Sequence, residues 1–316
     1  MKGTIVTAAA ASLIALAVAG SALAATPGRN GRIIYQQEVN GKSQLFTVRP
    51  DGTGRRQLTH GPTESVNGSW SPDGKSIVFE QSDDVASRAG VMIMNADGSN
   101  VRNLTPTGHQ GDPSFTPDGK QIVFTRTDVD NYDAVWLMNP DGSNQHELLA
   151  TRNAVQSGGT CGCDVDATVS PDGKTITYIR VVAEWGTQQT LMSVGIDGTG
   201  LKQLTPPSFE VAIKHDWSPD GKLIVFTSPG DPQPAQSATM WVMRPDGSHR
   251  KAITHNSQGE SNAFAGSFSP NGKWIVFRVD DAKGYHLSRI HPDGTGLHVI
   301  ANGGVPQRSS SWGTAQ

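Results

Sequence analysis

A single turn motif recurs along this chain at a nearly fixed spacing, and that periodicity restricts the fold more than any other feature. It reads SPDGK at 71–75, TPDGK at 116–120, SPDGK at 170–174, SPDGK at 218–222 and SPNGK at 269–273. The residues just before these turns are Trp70, Phe115, Val169, Trp217 and Phe268, and Trp312 stands in the same relation to the chain's last segment. Neighbouring anchors lie about 44 to 54 residues apart. Each turn is followed by a short β-branched or aromatic run: SIVFE (76–80), QIVFT (121–125), TITYI (175–179), LIVFT (223–227) and WIVFR (274–278). A variable segment, a second apolar run, a second turn and a third run ending in a form of Leu-Thr complete the unit. Four short strands per repeat joined by tight turns predict a blade of a β-propeller.

The turn chemistry supports this. Proline presets φ near −65°, Asp or Asn tolerates the next position, and glycine takes the positive φ that closes the hairpin. The second turns are PDGTG (50–54), ADGSN (96–100), PDGSN (140–144), IDGTG (196–200), PDGSH (245–249) and PDGTG (292–296). PGRNGRIIYQ (27–36) aligns with SPDGKSIVFE, so the first blade begins at its second strand. The segment at 305–312 is then expected to supply the missing innermost strand. The fold class predicted is all-β: a six-bladed propeller of four-stranded antiparallel blades, closed by the C-terminal strand.

Residues 1–24 carry one lysine, an alanine-rich apolar stretch and Ala22-Leu23-Ala24. This is the pattern of a secretory signal, and the run is shorter than the roughly 20 residues a bilayer requires. The expected organisation is a signal peptide over 1–24 and a propeller over 25–316, in a monomer exported to the periplasm or beyond and not inserted in the membrane once the signal is removed. Net charge is −3, with acids and bases interspersed, which argues against a nucleic-acid partner.

The repeats resemble the TolB-type β-propeller repeat, a WD-type repeat of the form WSPDGK-x-IVF followed by DG(S/T)-xx-R-x-LT, across essentially all of 27–314. TolB itself, the periplasmic component of the Tol-Pal envelope system, carries an additional α/β domain before its propeller. Only the apolar leader precedes the first repeat here, so the resemblance implies a bare propeller.

In such a ring the PDG turns share one face, and the variable segments 37–44, 80–90, 125–134, 179–190, 227–239 and 278–285 occupy the other. Loops over a rigid scaffold concentrate binding residues. The innermost strands start at this variable face. Their first residues nominate a channel mouth of Glu64, Asn67, His109, Asp112, Asp166, Lys214, His215 and Arg308, with Asp112, Asp166, Lys214 and Arg308 read as alternating in sign. The expected ligand is a protein or peptide of the cell envelope.

No G-x-S-x-G, H-E-x-x-H, G-x-x-x-x-G-K-[ST] or strand-linked G-x-G-x-x-G occurs, so neither a catalytic residue nor a cofactor is predicted. The competing expectation is a polysaccharide lyase using mouth histidines and a metal, because oligogalacturonate lyase is built from similar repeats. Cys161 and Cys163 are expected to form a small local disulfide. A zinc site there would draw on Asp164 and Asp166, and DVDNYD (128–133) resembles the start of a calcium loop but lacks its glycine and closing glutamate. No metal is predicted at either.

Overall fold

Each S/T-P-D/N-G-K stretch closes a hairpin through the same bonds. At 71–76 the Ser71 hydroxyl donates to Asp73 at 2.7 Å and accepts from the Ser76 N–H at 2.9 Å, while the Lys75 N–H reaches Asp73 at 3.0 Å. Asn271 makes the equivalent contacts without a charge. The second turns use the Ser or Thr two residues after the aspartate, as where Ser99 donates to Asp97 with both its hydroxyl and its N–H. Their last position requires a left-handed residue, which explains why it reads Gly54, Asn100, Asn144, Gly200, His249 and Gly296, all with positive φ.

These hairpins assemble, in the computed structural model, into six four-stranded antiparallel sheets. The structure describes residues 28–83, 89–106, 109–127, 133–148, 163–181, 189–229, 238–254, 261–282, 284–302 and 311–315. The signal segment 1–24, Cys161, His255, Arg308 and residues 128–132 lie outside them.

From the channel outward, blade 1 contains Ser311–Thr314, Asn30–Val39, Lys42–Val48 and Arg56–Gln57. The innermost strands of blades 2 to 6 are Glu64–Trp70, His109–Phe115, Cys163–Val169, Ala212–Trp217 and Ser261–Phe268. Helix among the described residues is confined to a 3-10 turn at Pro207–Phe209.

The predicted seam is present. Trp312 pairs with Ile33 and Ser311 with Ile34, so the C-terminal strand completes the blade that the N-terminal strands begin. The core lies between blades rather than within them. Val276, Leu287 and Ile300 of blade 6 pack against Ile33, Phe46, Val48 and Trp312 of blade 1, and equivalent clusters fill the other interfaces. This is why the ring needs closure: a sheet buried on both faces has no surface to leave exposed.

Two segments assigned to variable loops are extended instead. Residues 37–44 form a continuous hairpin with Asn40 and Gly41 at φ 55° and 75°, the signature of a two-residue turn that matches strand twist. Residues 278–285 likewise pair from Arg278–Leu287 to Asp281–Gly284. Gly90 also sits in a strand, Ala89–Asn95, and not in a loop.

The turn carboxyls are held below the usual aspartate range. At Asp172 the Ser170 hydroxyl is the main cause, followed by the Lys174 N–H against an opposing burial effect. At Asp73, Asp118 and Asp220 burial opposes ionisation, but the same donors and the turn lysine outweigh it. Donors from the Ser or Thr two residues on lower Asp51, Asp97, Asp141, Asp197, Asp246 and Asp293.

A depressed folded pKa contributes stability that is complete above the unfolded value, about 3.9, and is lost as pH falls through the folded value. The turn carboxyls are therefore expected to make thermal midpoints drop as pH falls below about 4. A midpoint unchanged at pH 3 would contradict this.

Candidate binding site at the channel mouth

The innermost strands do not run straight. In blades 2 to 5 the register slips between Val66 and Ser69, Gly111 and Ser114, Val165 and Thr168, and Ala212 and His215. Within these bulges Asn67, Asp112, Asp166 and Lys214 take φ of 54°, 49°, 52° and 91°. Non-glycine residues adopt positive φ rarely, with Asn and Asp the most tolerant, so the Asn/Asp content of this aligned position is a legible signal. A bulge re-aims the strand and frees backbone groups. Here a side chain of the preceding blade accepts the freed N–H: Gln36 Oε1 from Asn67 at 2.6 Å, and Asp166 Oδ2 from Lys214 at 2.6 Å.

The bulges open into a cavity of about 720 Å³ at the face opposite the PDG turns. Of the residues nominated from sequence, Glu64, Asn67, His109, Asp112, Asp166 and Lys214 line it together. Glu64 Oε2 accepts the Ser43 N–H at 2.7 Å. Asn67 Nδ2 donates to both Glu80 Oε2 and Asp112 Oδ1, at 2.9 and 2.8 Å. His109 Nδ1 lies 3.3 Å from the Thr127 hydroxyl, which donates to Asp133.

His215 is not in this group. It is fully buried, with Nε2 3.1 Å from the Thr168 hydroxyl and 2.8 Å from that of Thr177, and with Nδ1 facing Asp166 Oδ2 at 3.3 Å without a hydrogen bond. Trp217 Nε1 donates to the same Thr177 oxygen. His215 thus belongs to a polar seam between blades 4 and 5. Asp164, weighed as a zinc ligand, is bound at both oxygens by Arg180 at 2.8 Å. Cys163 starts the inner strand of blade 4, and its pairing with Cys161 falls outside the described residues.

Among the described residues the mouth charges are grouped by blade, and Arg308 lies outside them. Glu64, Glu80, Asp112, Asp133 and Asp166 come from blades 2, 3 and 4, while Lys214 and Arg278 come from blades 5 and 6. Gln36, Glu80, Thr125 and Arg278 were missed by the sequence reading. All four occupy one aligned position, the last residue of the run after the first turn, where a polar residue interrupts an apolar stretch.

At the other end the channel narrows to about 180 Å³ between the anchors, Trp70, Phe115, Val169, Trp217, Phe268 and Trp312, and the turn prolines. Beside it Asp216 accepts from Ser267, Phe268 and Trp217, and burial pushes its carboxyl above the usual range despite these bonds.

The family model of the TolB beta propeller domain matches residues 26–160. The TolB homolog of Chlorobium luteolum is 25% identical over 160 residues, which is 51% of this chain and 33% of that protein. Among solved structures, TolB from Acinetobacter baumannii superposes with a TM-score of 0.71 at 20% identity, over 89% of this chain and 66% of that one. An oligogalacturonate lyase in complex with manganese superposes with a TM-score of 0.52 at 11% identity, over 86% and 74%. The chain therefore spans about a third of the matched homolog and about two thirds of the matched TolB structure. The repeats, the six sheets of the ring and these likenesses mark the chain as a TolB-like β-propeller in fold, with residues 26–160 matching the family's model.

Proposed function

We propose that this protein is an exported interaction module that docks a protein or peptide of the cell envelope through the channel mouth and the variable face around it. The observation that carries this reading is the mouth itself: a cavity of about 720 Å³ in which acids of three blades face bases of two others. Such separation favours one orientation of a charged partner over general attraction. Export is supported by the leader at 1–24.

A lyase reading draws on mouth histidines around a metal. His109 reaches the mouth, but His215 has its Nε2 engaged by two threonine hydroxyls, which removes that donor from the set.

The test is capture from envelope extract with the full chain as bait. Lys214→Glu is expected to weaken capture at least several-fold with little change in melting temperature, since partly solvated charges contribute about 0–1 kcal/mol to stability. Undiminished capture by this variant would count against the mouth. A polymer-cleaving activity abolished by His109→Ala would favour the lyase.

A further inference from the structure

At the narrow end of the channel the six inner strands each place one polar residue just before the anchor: Ser69, Ser114, Thr168, Asp216, Ser267 and Ser311. Three of these are engaged. Thr168 contacts Thr177 and His215, and Ser267 donates to Asp216, whose oxygens also accept the Phe268 and Trp217 N–H groups. The hydroxyls of Ser69, Ser114 and Ser311, from blades 2, 3 and 1, line the cavity and make no hydrogen bond among the described residues. Ser114 and Ser311 are only half-buried, so these donors are open to the channel.

Lys214 enters from blade 5, across the ring. It lines both the mouth and this narrow end, and its ammonium makes no hydrogen bond or ion pair among the described residues. Its backbone holds φ 91° at a position where blades 2 to 4 carry Asn or Asp, which tolerate positive φ better. A long side chain kept in a costly conformation points to a role for its charge. Asp216 is the acid of the collar, but its oxygens are engaged and burial raises its carboxyl against the pull of Lys214, so an incoming anion meets little opposing charge.

We propose that the narrow end of the channel binds a small monocarboxylic acid with an apolar tail, its carboxylate taken by Lys214 and the hydroxyls of Ser69, Ser114 and Ser311, and its tail by the aromatic anchors and turn prolines. This site goes beyond the docking reading, which concerns the mouth. Ammonium and hydroxyl groups complete charge-assisted bonds to a carboxylate, and below them the walls are apolar. Apolar cavities of roughly 150 Å³ accept a benzene-sized molecule. At about 180 Å³ this one has room for a ring with its acid group and for little more.

The probes are benzoate, benzamide and benzylamine, titrated into the full chain by calorimetry with tryptophan emission followed in parallel, since Trp70, Trp217 and Trp312 line the cavity. Benzoate is expected to bind about tenfold more tightly than benzamide, and benzylamine more weakly than both. Acetyl-glycyl-phenylalanine carries the same carboxylate and ring on a chain end. It is expected to bind about tenfold more weakly than benzoate, because its chain exceeds the space; tighter binding would overturn a free small acid as the ligand.

Lys214→Asn is expected to bring benzoate down to the affinity of benzamide while melting no lower than the unaltered protein, since asparagine adopts this backbone conformation more readily. Ser114→Ala with Ser311→Ala is expected to weaken benzoate several-fold and to leave capture of an envelope partner unchanged. No binding of benzoate, equal affinity for benzoate and benzamide, tighter binding of benzylamine, or undiminished benzoate binding by Lys214→Asn would overturn the inference. If Lys214→Glu still impaired capture of an envelope protein in any of those cases, the docking reading would stand without this site.

Discussion

A chain lacking residues 305–316 is expected to melt on the order of 10 °C below the full-length protein and to self-associate on standing. Two losses combine. Trp312 is only 5% exposed and packs with Ile33, Val276 and Ile300, so removing it costs about 3–5 kcal/mol. The strand Asn30–Val39 also loses its inner partner and becomes an unpaired edge facing the channel. Gly313 contributes to the fit: a Cβ there would lie 2.7 Å from Trp70 of blade 2, so the terminal strand is pressed against both of its neighbours. Differential scanning calorimetry of the two chains decides it. Midpoints within a degree or two of each other would mean that Ser311–Thr314 does not close the ring.

Valine at Gly247 is expected to destabilise the fold more than valine at Gly119. Both glycines have positive φ, 83° and 69°, and a β-branched residue there costs about 1–3 kcal/mol at either position. The surroundings then separate them. A Cβ on Gly119 would find nothing closer than a proline ring atom at 3.7 Å, whereas one on Gly247 would lie 2.5 Å from the Leu204 carbonyl of the blade before it. The buried Leu204 peptide is tied by its N–H to the Leu191 carbonyl at 2.8 Å and has little room to move aside, so a further cost of about 1–3 kcal/mol is expected from the clash. Gly52 meets the Ile300 carbonyl of blade 6 in the same way, at 2.3 Å, across the seam. Urea denaturation of the Gly119→Val and Gly247→Val variants measures the difference, and equal losses would remove the second turns from the inter-blade contact.

The repeat was legible because it is written locally. Proline, aspartate and glycine at fixed offsets determine a hairpin whatever lies around it, and six hairpin pairs per ring follow from the spacing. The alternation of Gly, Asn and His at the end of the second turns likewise follows from one backbone requirement.

The mouth was less legible because its geometry depends on contacts between blades. His215 lies next to Lys214 in sequence, yet the bulge turns Lys214 to the channel and His215 into the seam with Thr168 and Thr177. Glu80 and Arg278 look like the first residues of variable loops, but their strands continue past them to Ser82 and Asp281. The residues 37–44 vary in sequence between repeats while keeping regular pairing, since a two-residue Asn-Gly turn leaves the strands free to carry any polar side chain.

The claim that the mouth is the working face is tested most directly by comparing two baits in one envelope extract. One carries Lys214→Glu. The other carries Lys120→Glu with Lys222→Glu, whose side chains are 82% and 80% exposed on the PDG-turn face. These lysines make a cleaner control than Arg55 and Arg250, which lie over the Phe46 and Phe209 rings. The account predicts that the turn-face variant captures the same partners as the unaltered protein and the mouth variant loses them. Loss of partners by the turn-face bait, with capture retained by the mouth bait, would place the binding surface on the opposite side of the ring.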